Sequence, residues 1–420
     1  MILYKLLICF IIFSSIFNFN FNTFADDLDL ERIDDINQII DVSSDISEEP
    51  NLNSRAAIIY DRCSGSILFG KNENEQRKMA STTKIMTAIV VIENGNLDDI
   101  VTVSDKAAGT GGSRLGLHAN DKISVRNLLY GLLLCSGNDA AVALAQHIGN
   151  DLSGFADLMN KKCSELGLTS THFVTPHGLD NDDHYTTAFE LAVITDYALK
   201  NDVFKSIVGT KNYTVQINNH SKNLSNTNEL LGNLDGVYGV KTGFTNGANR
   251  CLVTSIKRGS MDIICIVLGA DTKKLRTADS VKLINYVFDN FEMINFREKI
   301  ETEFNNWLSC NSSNFTVEKG ISNDISPILD TIPYDYFPVK KNNIDSINIY
   351  INCNNNFKAP FFSNSEIGCL IVSINNKTVL TLSIKSSNTI YKKSYSDFFV
   401  TLLKDYTYYL ESLLFINNSL

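Results

Sequence analysis

The stretch KMASTTKIMTAIVV, Lys78–Val91, sets one serine, two threonines and a lysine where an apolar run begins. A serine in that place is most often a helix N-cap. Ser81 and Lys84 are three residues apart, however, so on a helix they share a face and the amine can meet the hydroxyl. A serine hydroxyl needs a base to become a nucleophile, and an amine kept neutral by burial and a neighbouring cation can serve. The helix N-terminus also offers the Ser81 N–H as a donor to a developing oxyanion. A Ser-x-x-Lys pair arises by chance about once in a few hundred residues, so alone it carries little.

Two further groups give it weight. Ser136-Gly137-Asn138 falls between two helical patterns, Arg126–Leu134 and Ala140–Ile148, where both side chains can point into one cleft. The Ser-x-Asn pattern by itself says nothing, because Ser221-Lys222-Asn223 and Ser312-Ser313-Asn314 match it too. Lys241-Thr242-Gly243 closes a β-rich run, Val237–Lys241. There a lysine and a threonine can bind a carboxylate, and Gly243 lets a substrate backbone come close.

Around these groups the chain reads as an α+β fold. Ala56–Tyr60 and Ser66–Phe69 form a hairpin, Glu190–Lys200 is a helix, and Cys251–Ile256 and Met261–Leu268 are strands. A helical pattern follows from Ala278 to Phe291. Strands at both ends with helices between them imply an antiparallel sheet covered by helices, spanning 54–295. Residues 296–388 are rich in Asn and Ser, with short alternating runs, and read as a small all-β domain. In 389–420, Tyr395, Phe398, Phe399, Leu402, Leu403, Tyr406, Tyr409 and Leu410 recur at helical spacing. This amphipathic helix either packs on its own domain or lies in the plane of a membrane surface.

Composition bounds the partners. The chain has 420 residues, 44% hydrophobic and 20% charged, with a net charge of -10, enough for two or three domains. That charge excludes nucleic acid as a partner and leaves apolar surface as the route to any membrane contact. Met1–Lys5 is basic, Leu6–Phe17 is apolar and too short to span a bilayer, and Thr23-Phe24-Ala25 supplies small residues for cleavage. Residues 1–25 therefore read as an export signal, and 26–53 as an acidic flexible leader. Of nine cysteines, Cys9 leaves with the signal, and no Cys-x-x-Cys pair is present. The rest are expected to be mostly buried thiols, with Cys251 and Cys265 the pair best placed for a disulfide, across a hairpin.

Ser-x-x-Lys, Ser-x-Asn and Lys-Thr-Gly in this order are the motif set of class A β-lactamases and penicillin-binding proteins. From about Asn53 to Phe291 the chain resembles the low-molecular-weight penicillin-binding proteins, which are serine-type D-alanyl-D-alanine carboxypeptidases. The resemblance extends to AIIYDRCSGSILFGK (Ala57–Lys71), LLLCSGNDAAVALA (Leu132–Ala145), THFVTPHGLDNDDHYTTAFELA (Thr171–Ala192) and GVYGVKTGFT (Gly236–Thr245). It implies a β-lactamase/transpeptidase-like fold, peptidoglycan stem peptides as substrate, β-lactam antibiotics as covalent inhibitors, and no cofactor or metal. By that likeness Ser81 is acylated, Lys84 is its base, and Ser136 passes a proton to the departing D-alanine. Asn138 orients the peptide amide. Lys241 and Thr242 hold the terminal carboxylate, with Arg276 a second anchor, and the N–H groups of Ser81 and Phe244 form the oxyanion hole. The enzyme would act at the outer face of the bacterial cytoplasmic membrane or in the wall.

Other readings weigh less. A class A β-lactamase wants a glutamate over its deacylating water. Glu165 lacks the expected asparagine after it, and Glu190 reads as a helix-surface residue. A DD-endopeptidase acting on crosslinks shares every motif. A non-catalytic wall-binding or β-lactam-sensing protein has little support with Ser81, Lys84, Ser136 and Lys241 intact. His177 and His184 lack a zinc-peptidase His-Glu-x-x-His context, and Asp180, Asp182 and Asp183 read as a solvated turn. Cys135, beside Ser136, is expected to be packed, with sensitivity to thiol reagents as a hypothesis.

Overall fold

The computed structural model describes residues 31, 33, 35–40 and 49–417, with side chains up to 411. The export-signal reading of 1–25 lies outside the described residues, as does much of the leader. The chain divides into two compact units, residues up to Arg62 with Ser66–Asp289, and Cys63–Gly65 with Asn290–Leu420.

The first unit is built on a five-stranded antiparallel sheet of β1 (Ala56–Asp61), β2 (Ile67–Lys71), β3 (Val237–Thr245), β4 (Asn249–Arg258) and β5 (Met261–Ala270). The spatial order is β2-β1-β5-β4-β3, so chain-distant strands meet at the centre and β3 forms an edge. β5, MDIICIVLGA, is apolar nearly throughout because both of its faces are covered. The same logic explains α1 (Lys84–Asn94), whose first eight residues are all buried. Helices α2 (Val125–Leu133) and α3 (Asn138–Gly149) flank the Ser136 turn, and α4 (Ala188–Leu199) packs with them into one core that includes Ile58, Ile89, Leu132, Leu144 and Ile266. The last helix, α5, runs Lys273–Asn290, starting five residues earlier than the Ala278 expected. Its first turn, Lys-Lys-Leu-Arg, is polar and hides the helical period.

Two leader residues are not solvated. Ile39 is buried, and the Glu31 carboxylate accepts the Lys273 N–H at 2.8 Å and pairs with Arg250 at 3.1 Å.

The second unit carries a four-stranded sheet in the order Pro327–Leu329, Lys377–Ser386, Glu366–Ile374, Ile347–Cys353. Its core also takes Phe296, Ile300 and Phe304 from a helix, Phe296–Asn311, that the strand-rich reading of this region did not include. Asn295 caps that helix by accepting the Glu298 N–H. The terminal helix spans Tyr395–Asn417, and Tyr395, Phe399, Leu402, Tyr406 and Tyr409 are exposed along it. Among the described residues no helix is long and apolar enough to cross a membrane.

The expected Cys251–Cys265 disulfide is not formed. Cys265 stands opposite Thr254 in the β4–β5 ladder while Cys251 stands opposite Gly243 in the β3–β4 ladder, so the two are out of register. All eight cysteines of the described residues are free thiols.

Candidate active site

Ser81 lies in a short 3-10 turn, Ala80–Thr83, that leads into α1. It is not the helix cap: Thr83 holds that position, and no side chain caps the helix. The Ser81 hydroxyl is therefore not spent on a backbone N–H. Lys84 Nζ donates to Ser81 Oγ at 2.5 Å, to Asn138 Oδ1 at 2.7 Å, to the His177 carbonyl at 3.0 Å and to Ser136 Oγ at 3.3 Å. The lysine is fully buried and Ser81 nearly so. A buried amine is tolerable only with such partners. Three segments supply them: the nucleophile turn, the Ser136-Gly137-Asn138 turn and the Pro-His-Gly-Leu segment.

Two non-glycine residues here take left-handed backbone, Ala80 at φ +48° and Ser136 at φ +61°. Such conformations cost about 1–3 kcal/mol each and persist where packing dictates them. At Ser136 the packing comes from Asp139, which the sequence reading passed over. This buried carboxylate accepts the N–H groups of Leu115, Gly116, Leu117 and Ala140 at 2.7–2.9 Å. It ties the 113–117 loop to α3, and the Ser113 carbonyl accepts the Asn138 N–H. The Asn138 amide is engaged on both sides, by Lys84 and by the Gly111 carbonyl at 2.9 Å.

The edge strand β3 packs on the nucleophile turn. A Cβ on Gly243 would stand 3.1 Å from the Met79 carbonyl and 3.2 Å from Ser81 N. The glycine thus admits the protein's own backbone, not only a substrate's. Lys241 is buried and donates to the Thr242 carbonyl at 2.9 Å, and the Thr242 and Thr227 hydroxyls bond at 2.8 Å. The Phe244 ring is covered by the Arg250 guanidinium, 4.5 Å from its centroid. Arg276, on α5, is buried and carries Glu229 on its Nη2.

The Pro-His-Gly-Leu segment closes the site from below. Gly178 has φ +86°, and a Cβ there would fall 1.9 Å from the Ala80 carbonyl, so no other residue fits. His177 contributes its carbonyl to Lys84, and its Nδ1 accepts the Leu179 N–H at 3.2 Å. Burial, then the Lys84 charge, pushes its ring down to about 3, so it is neutral near pH 7. Burial likewise pushes His184 down to about 4. Among the described residues no cluster of three or more His, Cys, Asp or Glu could hold a metal ion.

Three smaller readings change. Asp180 is not a solvated turn residue: it accepts Thr245 Oγ1 at 2.7 Å and the Gly247 N–H at 2.8 Å, latching the end of β3. Glu190 is buried, not on the helix surface, and accepts the N–H groups of Thr169 and Ser170 and the Thr171 hydroxyl. Glu165 sits at the surface with Lys161 and Lys162, so neither glutamate is poised over Ser81. Cys135 is largely buried, donates to the Gly131 carbonyl, and burial followed by Asp139 pushes its thiol up to about 11. Such a thiol is a poor nucleophile.

The chain is similar to known proteins. The D-alanyl-D-alanine carboxypeptidase family profile matches residues 43–272. The D-alanyl-D-alanine carboxypeptidase DacF of Bacillus subtilis is 31% identical over 360 residues, 84% of this chain and 90% of that one. DacC of Escherichia coli is 38% identical over 260 residues, 59% of this chain and 64% of its own. Among solved structures, penicillin binding protein 5 of Haemophilus influenzae superposes with a TM-score of 0.68 at 27% identity, covering 82% of this chain and 99% of that one. The Streptomyces K15 DD-transpeptidase gives 0.55 at 36% identity, over 57% and 99%. With the motif set, the fold and a profile match over residues 43–272 in agreement, the chain belongs to the D-alanyl-D-alanine carboxypeptidase family of serine peptidases.

Proposed function

We propose that Ser81 is the residue through which this D-alanyl-D-alanine carboxypeptidase becomes acylated, with Lys84 as its base. The observation that carries this is the 2.5 Å contact between Lys84 Nζ and Ser81 Oγ inside a buried cluster that also includes Ser136 and Asn138. In the neutral amine, the Nζ lone pair can take the hydroxyl proton as Oγ attacks the carbonyl carbon between the two terminal D-alanines of a peptidoglycan stem peptide. Ser136, within reach of the same amine, relays a proton to the nitrogen of the departing D-alanine. The C–N bond breaks and an ester on Ser81 remains. Lys241 and Thr242 receive the terminal carboxylate, with Arg276 beside them, and the N–H groups of Ser81 and Phe244 stabilise the tetrahedral oxyanion. Water then hydrolyses the ester, which releases the shortened stem and returns the proton to the lysine–serine pair.

A β-lactam offers the same carbonyl and carboxylate, but its leaving nitrogen stays tethered, so the ester persists. Intact mass of the mature chain against time after adding penicillin tests the assignment. A long-lived adduct mapping to Ser81, absent in Ser81→Ala, is the expected result. Rapid consumption of penicillin without a lasting adduct would replace this reading with hydrolysis of the antibiotic itself.

The same reading puts the enzyme outside the cytoplasm, with the signal residues 1–25 removed and the terminal helix laid on the membrane surface. The row of exposed Tyr, Phe and Leu side chains on that helix supports the second point. A mature N-terminus at Asp26 would support the first.

A further inference from the structure

The Arg276–Glu229 pair is out of keeping with a cation kept ready for a substrate. Arg276 is 2% exposed and its partner Glu229 15%. The contact runs from Nη2 to Oε1 alone, and the Thr277 hydroxyl donates to that same oxygen at 2.5 Å. Among the described residues, Glu229 Oε2 and Arg276 Nε are both buried without a hydrogen-bond partner. A bidentate pair would have satisfied both atoms, so this one is held less firmly than its burial suggests.

Its position ties it to the reacting end of β3. Thr227 bonds to Thr242, and Asn228 Nδ2 donates to the Gly239 carbonyl, so the segment carrying Glu229 is stitched to the strand on both sides of Lys241. Burial would raise the Glu229 carboxyl, but Arg276 and the Thr277 hydroxyl more than offset this, and Lys273 adds to them. The free enzyme therefore holds a carboxylate on Arg276.

We propose that Glu229 is a specificity-determining residue that competes, from within the protein, for the guanidinium receiving the substrate's terminal carboxylate. This rests on the reading of Arg276 as carboxylate anchor. An arriving D-alanine carboxylate has to displace Glu229 or share one cation with it, and either weakens binding. Only ligands with a well-placed terminal carboxylate make the exchange, so the competitor sharpens selection for that end group at the expense of affinity.

Steady-state kinetics of the full mature chain on an N-acylated L-Lys-D-Ala-D-Ala peptide decide the matter. Glu229→Gln keeps the shape and removes the charge; KM is expected to fall about fivefold, with kcat within about twofold of the parent. Arg276→Gln is expected to raise KM, and adding Glu229→Gln to it should then give no decrease. A rise in KM with Glu229→Gln, while Arg276→Gln also raises it, would make Glu229 a mere buttress and overturn the proposal alone. An unchanged KM in Arg276→Gln would overturn the anchor reading itself. If Glu229→Gln does not fold, Glu229→Asp, which draws the carboxylate back from Arg276, decides: a lower KM supports the competition and a higher one refutes it.

Discussion

His184 Nε2 and Thr83 Oγ1 lie 2.8 Å apart, and the Val174 N–H donates to His184 Nδ1 at 3.0 Å, which fixes the ring as the Nε2–H form. Thr83 in turn donates to the Ala80 carbonyl at 2.8 Å. A buried relay thus runs from the loop before Pro-His-Gly-Leu to the strained residue preceding the nucleophile. Its members are neutral donors and acceptors, and each is needed in one protonation state.

That requirement gives a pH dependence. His184 and His177 titrate near 4 and 3 in the folded chain, against about 6.5 unfolded. The unfolded chain therefore binds more protons between these values. Stability is complete above about pH 6.5 and falls as the pH drops towards 4, by on the order of 3 kcal/mol for His184. Urea midpoints between pH 7 and 4 should show this decline. In His184→Gln the midpoint at pH 7 should be lower and its slope with pH shallower. An equally steep slope in the variant would mean that other groups drive it.

Gly178→Ala should be among the most damaging single-methyl changes in the chain. The new carbon would overlap the Ala80 carbonyl, and the backbone there is left-handed. A loss of about 2–4 kcal/mol is expected, or roughly 5–15 °C in Tm, with penicillin acylation slowed more than tenfold. A variant that melts normally and acylates at the parent rate would show that the loop can move away without consequence.

Alkylation of the native chain with iodoacetamide at pH 7.5 should label Cys63 and Cys310, which are exposed, and leave Cys135 unmodified. Penicillin acylation should be unaffected. Peptide mass mapping reads both. Early modification of Cys135 would mean that the 131–136 turn opens far more readily than its packing implies.

Removing the terminal helix should leave the enzyme active, provided the cut is placed correctly. Truncation at Tyr391 would also take away backbone that pairs with Lys319–Ile321. A chain ending at Ser394 keeps those bonds. It is expected to acylate with penicillin at the parent rate and to lose sedimentation with lipid vesicles. Undiminished vesicle binding would move the contact elsewhere on the protein.

How much of this was legible in the sequence depended on the range of the interaction. The Ser81–Lys84 pairing follows from helical spacing, and β5 and α1 declare themselves by unbroken apolar runs. Asp139 and Glu190 did not, because both look like ordinary helix-start or helix-surface acids until distant backbone N–H groups are folded onto them. The His177 carbonyl is a main-chain atom and carries no residue-type signal at all. Arg276 was identifiable as a cation near the site by likeness, but the carboxylate on it comes 47 residues earlier in the chain, from a stretch with no motif.

The four acceptors around Lys84 lie at sequence separations of 3, 52, 54 and 93 residues. Three of those contacts close long loops, whose entropy is lost before the contact forms, so the cluster is expected to assemble after the local helices. A chain that has formed its local helices but not this junction has Lys84 without its partners Ser136, Asn138 and the His177 carbonyl. Covalent capture by a β-lactam is then a count of completed molecules: in a refolding time course, the fraction that takes the label should lag behind the recovery of helical signal and coincide with the end of assembly.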